Sequence, residues 1–209
     1  MGMIIKQLIK RLSCIIMRIK YPHFISCQDG TFLKNVKVCK KGGGNLLNFK
    51  KDVSIRNSIF HINGSNNLVE IHEGAKIKDV TFWMEGDNNK IVIGASTTFH
   101  GKCQLAACEG TQIMIGKDCM FSHDIYIRTT DSHSIVDKDG NRTNQAKDIS
   151  IGNHVWIGMQ SLILKGSTIP DNCVVGARSI ISSSKEHVSN SILIGNPAKT
   201  IKTEINWSR

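Results

Sequence analysis

Aromatic residues make up only 6% of this 209-residue chain. That scarcity, with no interleaving of aromatic and basic residues and no known nucleic-acid motif, argues against a nucleic-acid partner. No C-x-x-C pair occurs among the 7 cysteines, which argues against a structural zinc site. Cys103, Cys119 and Cys173 instead read as buried small residues of a protein kept in a reducing compartment. No apolar run is free of charge for long enough to span a membrane. The amino-terminal stretch also lacks the clean apolar core and small-residue cleavage site of a signal peptide.

What the chain has is a beat of six. Ile151, Ile157, Ile163, Ile169, Val175 and Ile181 stand six apart, and Val155, Ser161, Ser167, Cys173 and Ser179 follow the first five by four. A fixed repeat of this kind sets the whole fold. A period of six suits neither a lone helix nor an alternating strand. It suits a coil of three flat faces stacked into a prism, with the aliphatic pointing inward and the small residue letting the chain turn. Upstream the beat continues in triplets 22 residues apart: Phe49, Ile55 and His61; Ile71, Ile77 and Trp83; Ile93, Phe99 and Leu105; Ile115, Phe121 and Ile127. Three hexapeptides take 18 residues, so each of these coils carries four more at one corner. Asn63-Gly64-Ser65-Asn66-Asn67 and Gly86-Asp87-Asn88-Asn89 supply them, and Gly and Asn suit a corner that needs positive φ. A weaker first coil starts near Cys27, Leu33 and Cys39. The 40% hydrophobic content with few aromatics fits a narrow core of Ile and Val stacks.

The net charge of +10 is uneven: residues 1–20 hold Lys6, Lys10, Arg11, Arg18 and Lys20 and no acid. Ile4, Ile5, Leu8, Ile9, Leu12, Ile15, Ile16 and Ile19 recur there at helical spacing. Residues 1–22 therefore read as a basic amphipathic helix. Two placements are open for it: against the solenoid base or an oligomer, or on the inner face of an anionic membrane. Residues 23–202 form the solenoid, interrupted by a polar excursion over 131–148, and 203–209 form a tail with some helical character. A functional role suits a long loop inside a compact domain.

Four segments carry a resemblance. Ile151-Gly152-Asn153-His154-Val155-Trp156-Ile157-Gly158 contains V-W-I-G, Val175-Gly176-Ala177-Arg178-Ser179 contains G-A-x-S, and Gly195-Asn196-Pro197-Ala198-Lys199 reads G-N-P-A-K. Thr130-Asp131-Ser132-His133 opens the excursion with a histidine. In this order they resemble the left-handed parallel β-helix acyltransferases, over roughly residues 45–202. Within that family the chain looks most like bacterial surface-polysaccharide O-acetyltransferases, including those acting on polysialic acid. The resemblance implies an all-β left-handed parallel β-helix, an exception to the right-handed crossover rule. It also implies a cytoplasmic homotrimer with sites between subunits, acetyl-CoA as donor and a glycan as acceptor.

Acetyl transfer to a hydroxyl needs a base, and histidine is the side chain suited to that work near neutral pH. The family's catalytic histidine matches His133, as general base in a direct attack without an acyl-enzyme. Asp131 is the candidate to orient it, alongside backbone carbonyls. Trp156 matches the family's tryptophan beside the acetyl and pantetheine groups, with packing against a neighbour as the plainer role. Gly158 and Ala177 fall along the implied CoA groove, although tight corners alone also call for small residues. The CoA phosphates require cations, for which Lys165, Arg178, Lys185 and Lys199 are the candidates. Asp131, Arg142 and Asn144 are candidate acceptor contacts, with keeping the loop soluble as their plainer role. His61, in an inward slot, reads as a core or end-cap histidine, while His123 and His154 could line a cleft between subunits. No histidine pair has the close spacing of the zinc site in γ-type carbonic anhydrases, so no metal is expected. Other readings are a sugar N-acetyltransferase, a xenobiotic acetyltransferase, or a non-catalytic scaffold.

Overall fold

The computed structural model describes residues 12–183 and 186–209. They form a left-handed parallel β-solenoid of about eight turns. The chain passes from a first to a second to a third sheet in each turn. Among the described residues the first sheet has seven strands, from Ile25–Cys27 to Thr168–Ile169. The second has nine, from Phe32–Lys34 to Ala198–Lys202, and the third seven, from Lys37–Lys41 to Ile180–Ile181. All neighbours are parallel except Ile192–Gly195 and Ala198–Lys202, which close the second sheet as an antiparallel pair.

Three stacks of side chains fill the prism. Ile71, Ile93, Ile115, Ile151 and Ile169 stand over one another in the first sheet. Ile55, Ile77, Phe99, Phe121, Ile157, Val175 and Leu193 do so in the second. Val38, Phe60, Phe82, Leu105, Ile127, Ile163 and Ile181 do so in the third. Nearly all are buried. Each full burial is worth about 1.5–3 kcal/mol, so the stacks dominate the stability of the coils. The aromatics among them stack face to face: Phe60 on Phe82 at 4.5 Å between centroids and Phe99 on Phe121 at 4.2 Å.

The third stack corrects the sequence reading of His61 and Trp83, which were expected to point inward. Phe60 and Phe82 take those slots instead. Three corners, from Leu33 to Val38, Ile55 to Phe60 and Ile77 to Phe82, hold one residue fewer than a hexapeptide allows, and a shift of one residue turns every side chain of a strand to the opposite face. His61 and Trp83 therefore stack on each other outside, centroids 4.0 Å apart. The same alternation turns Val38 inward and leaves Cys39 exposed in the first coil.

The corners satisfy their own backbone. Ser161 Oγ donates to the carbonyls of Gly158 and Gly176 at 2.9 and 3.1 Å, and Ser167 Oγ to those of Leu164 and Ile181 at 2.6 and 3.1 Å. The four-residue corners of the upper coils are built on a buried ladder of asparagines. The backbone amide of Asn67 donates to Asn45 Oδ1 at 2.8 Å, and that of Asn89 to Asn67 Oδ1 at 2.9 Å. Asn89 Oδ1 then accepts from the amides of Gly110 and Thr111. Asn66 and Asn88, each next to a rung, sit at φ 57° and 59°, as the corner composition predicts.

Cys103, Cys119 and Cys173 are buried as expected. Burial pushes the thiols of Cys103 and Cys119 up to about 11, which leaves them protonated and poor nucleophiles at neutral pH. Cys14 and Cys27 are a departure, since they form a disulfide with Cα atoms 6.4 Å apart. It joins the helix to the first coil. That helix covers residues 12–20, a turn follows at 21–22, and residues 1–11 of the expected segment lie outside the described residues. Cys14 is buried, and Met17 and Tyr21 pack on the core at the open end of the prism.

The tail is not helical. After Ala198–Lys202 it climbs the corner between the first and second sheets. The amide of Ile205 donates to the Asn190 carbonyl at 3.0 Å. Trp207 stacks on His154, centroids 4.1 Å apart, and Trp207 Nε1 donates to the His154 carbonyl at 2.8 Å. Arg209 reaches Asp118 Oδ1 at 3.0 Å and Thr98 Oγ1 at 2.9 Å. Burial pushes the Asp118 carboxyl upward, but hydrogen bonds from His154 and Arg209 outweigh it and hold the group below its usual range.

Two stability measurements follow. Asn89→Ala should lower stability by about 2–4 kcal/mol, because it leaves buried amides without an acceptor. A urea melt checks this, and an unchanged midpoint removes the ladder from the corner's stability. Trp207→Ala should cost about 3 kcal/mol, at the lower end for a buried tryptophan. Thermal unfolding reads it, and a loss below about 0.5 kcal/mol, the size of an ordinary surface change, means the tail is not docked.

Candidate active site

His133 leaves the prism at the corner between the third and first sheets. Tyr126–Arg128 ends the third-sheet strand, Thr129 and Thr130 are buried, and the chain then departs until Ile149–Ile151. The asparagine ladder runs down this same corner. Thr111 Oγ1 bonds Thr129 Oγ1 at 2.6 Å, so the ladder ends directly beneath the loop.

The excursion is a small hairpin. Thr143 N donates to the Ile135 carbonyl at 2.8 Å and Asp137 N to the Asn141 carbonyl at 2.9 Å. At its tip Asp137 Oδ1 accepts from the amides of Asp139 and Asn141. Two polar contacts latch the hairpin to the coils. Arg142 forks onto Glu109 at 2.6 and 3.1 Å, and Thr130 Oγ1 adds a 2.6 Å bond to the same carboxylate. Those Arg142 bonds, then that of Thr130, hold the Glu109 carboxyl below its usual range. The second latch joins Asp131 to Lys165 Nζ and to Asn144 Nδ2, the latter at 2.8 Å. Lys165 is the main cause of the lowered Asp131 carboxyl.

Asn144 links the two latches to His133. Its Nδ2 also donates to the His133 carbonyl at 2.8 Å, and its Oδ1 accepts from Ile135 N at 2.7 Å. The backbone of His133 is thus pinned while its side chain stands exposed. Asp131 Oδ2 accepts from both Lys165 and Asn144, and no hydrogen bond joins this carboxylate to the His133 ring among the described residues. Lys165 lies with the histidine loop, apart within one chain from the other donor-site candidates.

Those candidates lie elsewhere. Trp156 stands outward on the second sheet, in register with Met120 and Val174, and is 37% exposed. Gly158 and Ala177 turn the corner between the second and third sheets. A Cβ on Gly158 would meet Ala177 N at 2.6 Å, so the close approach of two coils demands glycine there. Arg178 is exposed at the same corner, and its Nε donates to Gln160 Oε1 at 2.8 Å. Lys199 is exposed on the last strand, cross-strand from Ile194. Lys185 lies outside the described residues. In a three-sided prism, the corner that bears His133 is opposite the face that bears Trp156. One chain therefore keeps the two apart.

Several residues that shape the region escaped the sequence reading. Glu109 is 33 residues from Arg142, a separation that no local pattern reveals. Trp207 packs beside Trp156, ring centroids 6.1 Å apart, with His154 held between Asp118 and the tail. A lone tryptophan in a polar tail was the available signal. His154 is thereby occupied within its own chain.

Comparison with known proteins agrees with this architecture. Residues 148–183 match the model of the bacterial transferase hexapeptide family (six repeats). The polysialic acid O-acetyltransferase of Escherichia coli O1:K1 / APEC is 36% identical over 120 residues, 57% of this chain and 38% of that protein. The polysialic acid O-acetyltransferase of Neisseria meningitidis is 48% identical over 75 residues, 35% of this chain and 34% of that protein. The matched stretches thus span little more than a third of the length of these two relatives. The likeness reaches further in three dimensions. The crystal structure of the polysialic acid O-acetyltransferase OatWY superposes with a TM-score of 0.64 at 31% identity, covering 90% of this chain and 92% of that one. With its three-sheet prism, inward aliphatic stacks and corner-borne histidine loop, the chain belongs to the hexapeptide-repeat, left-handed β-helix acetyltransferases.

Proposed function

We propose that this chain transfers an acetyl group from acetyl-CoA to a hydroxyl of a bacterial surface glycan, on the cytoplasmic side of the cell, and that the glycan contains sialic acid. The observation that carries the reading is the latched loop, which fixes the His133 backbone at a prism corner and leaves its imidazole free to meet a substrate. A general base must come within hydrogen-bond reach of the proton it takes. The relatives named above, which act on polysialic acid by their names, support the acceptor class. The net charge of +10 suits an acidic polymer as well.

The donor supplies the activated acetyl group as a thioester. Trp156, Gly158 and Ala177 form the wall and floor of its groove in this reading, and Arg178 and Lys199 face its phosphates. The residues fit such a ligand: the tryptophan is open on one face and both cations are exposed. His133 takes the proton of the acceptor hydroxyl as the new ester bond forms, and returns it to the departing sulfur. Asp131 acts as a positioning residue. Through Asn144 and Lys165 it holds the loop, and with it the histidine. The opposite placement of His133 and Trp156 supports a homotrimer, in which the histidine of one copy meets the tryptophan of the next.

The test is thermal stabilisation by acetyl-CoA followed by transfer to polysialic acid. His133→Ala should keep the acetyl-CoA shift while lowering turnover by about 10²–10⁴. Retained turnover removes His133 from the mechanism, and no shift with the unaltered chain removes the donor. Trp156→Ala should raise KM for acetyl-CoA about tenfold or more with the oligomeric mass unchanged, the size of a lost aromatic contact. Loss of the assembly assigns Trp156 to packing instead.

A further inference from the structure

The charge of this protein is concentrated toward the amino-terminal end of its sequence. Residues 1–51 contain eleven Lys and Arg and one acid, while residues 52–209 contain sixteen of each. The whole formal net charge of +10 therefore lies in residues 1–51, which include helix 12–20 and the first coil. Lys34, Lys37, Lys40 and Lys41 are exposed on that coil, and Arg18 and Lys20 on the helix. None of these six forms an ion pair among the described residues, and the first acid-paired lysine is Lys50, 3.9 Å from Glu70.

The helix at the same end is turned the unusual way. It packs on the coil through Cys14, Met17 and Tyr21. Its large aliphatics face outward: Leu12, Ile15, Ile16 and Ile19 are 57, 50, 55 and 75% exposed. They recur at the three- and four-residue spacing of a single helical stripe. A stripe of branched aliphatics beside cations free of ion pairs is what a helix lying in a lipid headgroup region requires. Anionic headgroups add attraction for each lysine or arginine near the surface. An acidic polysaccharide would account for the cations but not for the aliphatic stripe.

We infer that this end of the prism docks on an anionic lipid surface, with the stripe of helix 12–20 buried among the acyl chains and the first-coil lysines on the headgroups. The prism axis then stands away from the bilayer, and the corner that carries His133 and the face that carries Trp156 are held above it. The inference is independent of the chemistry proposed for those residues.

Co-sedimentation of the full chain with vesicles tests it. Vesicles of phosphatidylcholine mixed with phosphatidylglycerol should carry the protein down, those of phosphatidylcholine alone should not, and added salt should release it. Ile15→Ser with Ile19→Ser should weaken binding at least tenfold, leaving the thermal midpoint in place because both side chains are exposed. Lys37→Ala, Lys40→Ala and Lys41→Ala together should weaken it roughly a hundredfold, at about fivefold for each cation removed. Three results overturn the proposal: no sedimentation with anionic vesicles; loss with the lysine variants but not the isoleucine ones, which assigns the patch to a free polyanion; or isoleucine variants that change only the mass in solution, which makes the stripe a contact between copies.

Discussion

Parallel strands one coil apart must stay in register, because side chains point to opposite faces with every step along a strand. In this prism each strand inside a sheet has two such neighbours, so its inward set is fixed from above and below. Ile77 can point inward only if Ile55 and Phe99 do as well. The corners absorb whatever the strands cannot. Where a corner runs long, its backbone groups lose their strand partners and need others, and the asparagine ladder and the serine hydroxyls supply them. The stacks and the polar corners are thus one system: the first sets which residue arrives at a corner, the second decides whether that corner can be buried.

Much of this was readable from the residues. The six-residue beat pointed to the first and second stacks directly, because branched aliphatics six apart fall at the same place on successive faces of a three-sided coil. The third stack was obscured. A corner one residue short, followed by a longer stretch, leaves the 22-residue repeat intact, so the repeat itself carries no sign of the shift. His61 and Trp83 therefore looked inward while Phe60 and Phe82 filled the slots. The asparagines were legible as turn formers but not as a ladder, since a rung and a surface turn use the same amide. His133 and its excursion were visible as a break in the pattern. The partner of Asp131 was not, because Lys165 is 34 residues away and looks like any other surface lysine.

The loop is ordered by charge rather than by apolar contact. Ile135 and Val136, its largest apolar residues, are exposed, and the hairpin is held by Glu109 with Arg142 and by Asp131 with Lys165. Exposed ion pairs are individually weak, yet a forked guanidinium with fixed geometry and a network sharing Asn144 are the settings in which they count. A polar fastening also leaves the surroundings of His133 open to water and to polar substrates, which an apolar fastening would not.

The tail changes how such a solenoid comes apart. Stacked coils touch only their neighbours, so a plain solenoid can fray from an end one turn at a time. Here Arg209 binds Thr98, 111 positions earlier, and on the way Trp207 is fastened to His154. The final residues thereby close a ring around every coil between them. Fraying from the carboxyl end must first release that strap, so the coils from Thr98 onward are joined into one cooperative block. Amide exchange in this block should then be governed by one shared opening event rather than a gradient along the axis.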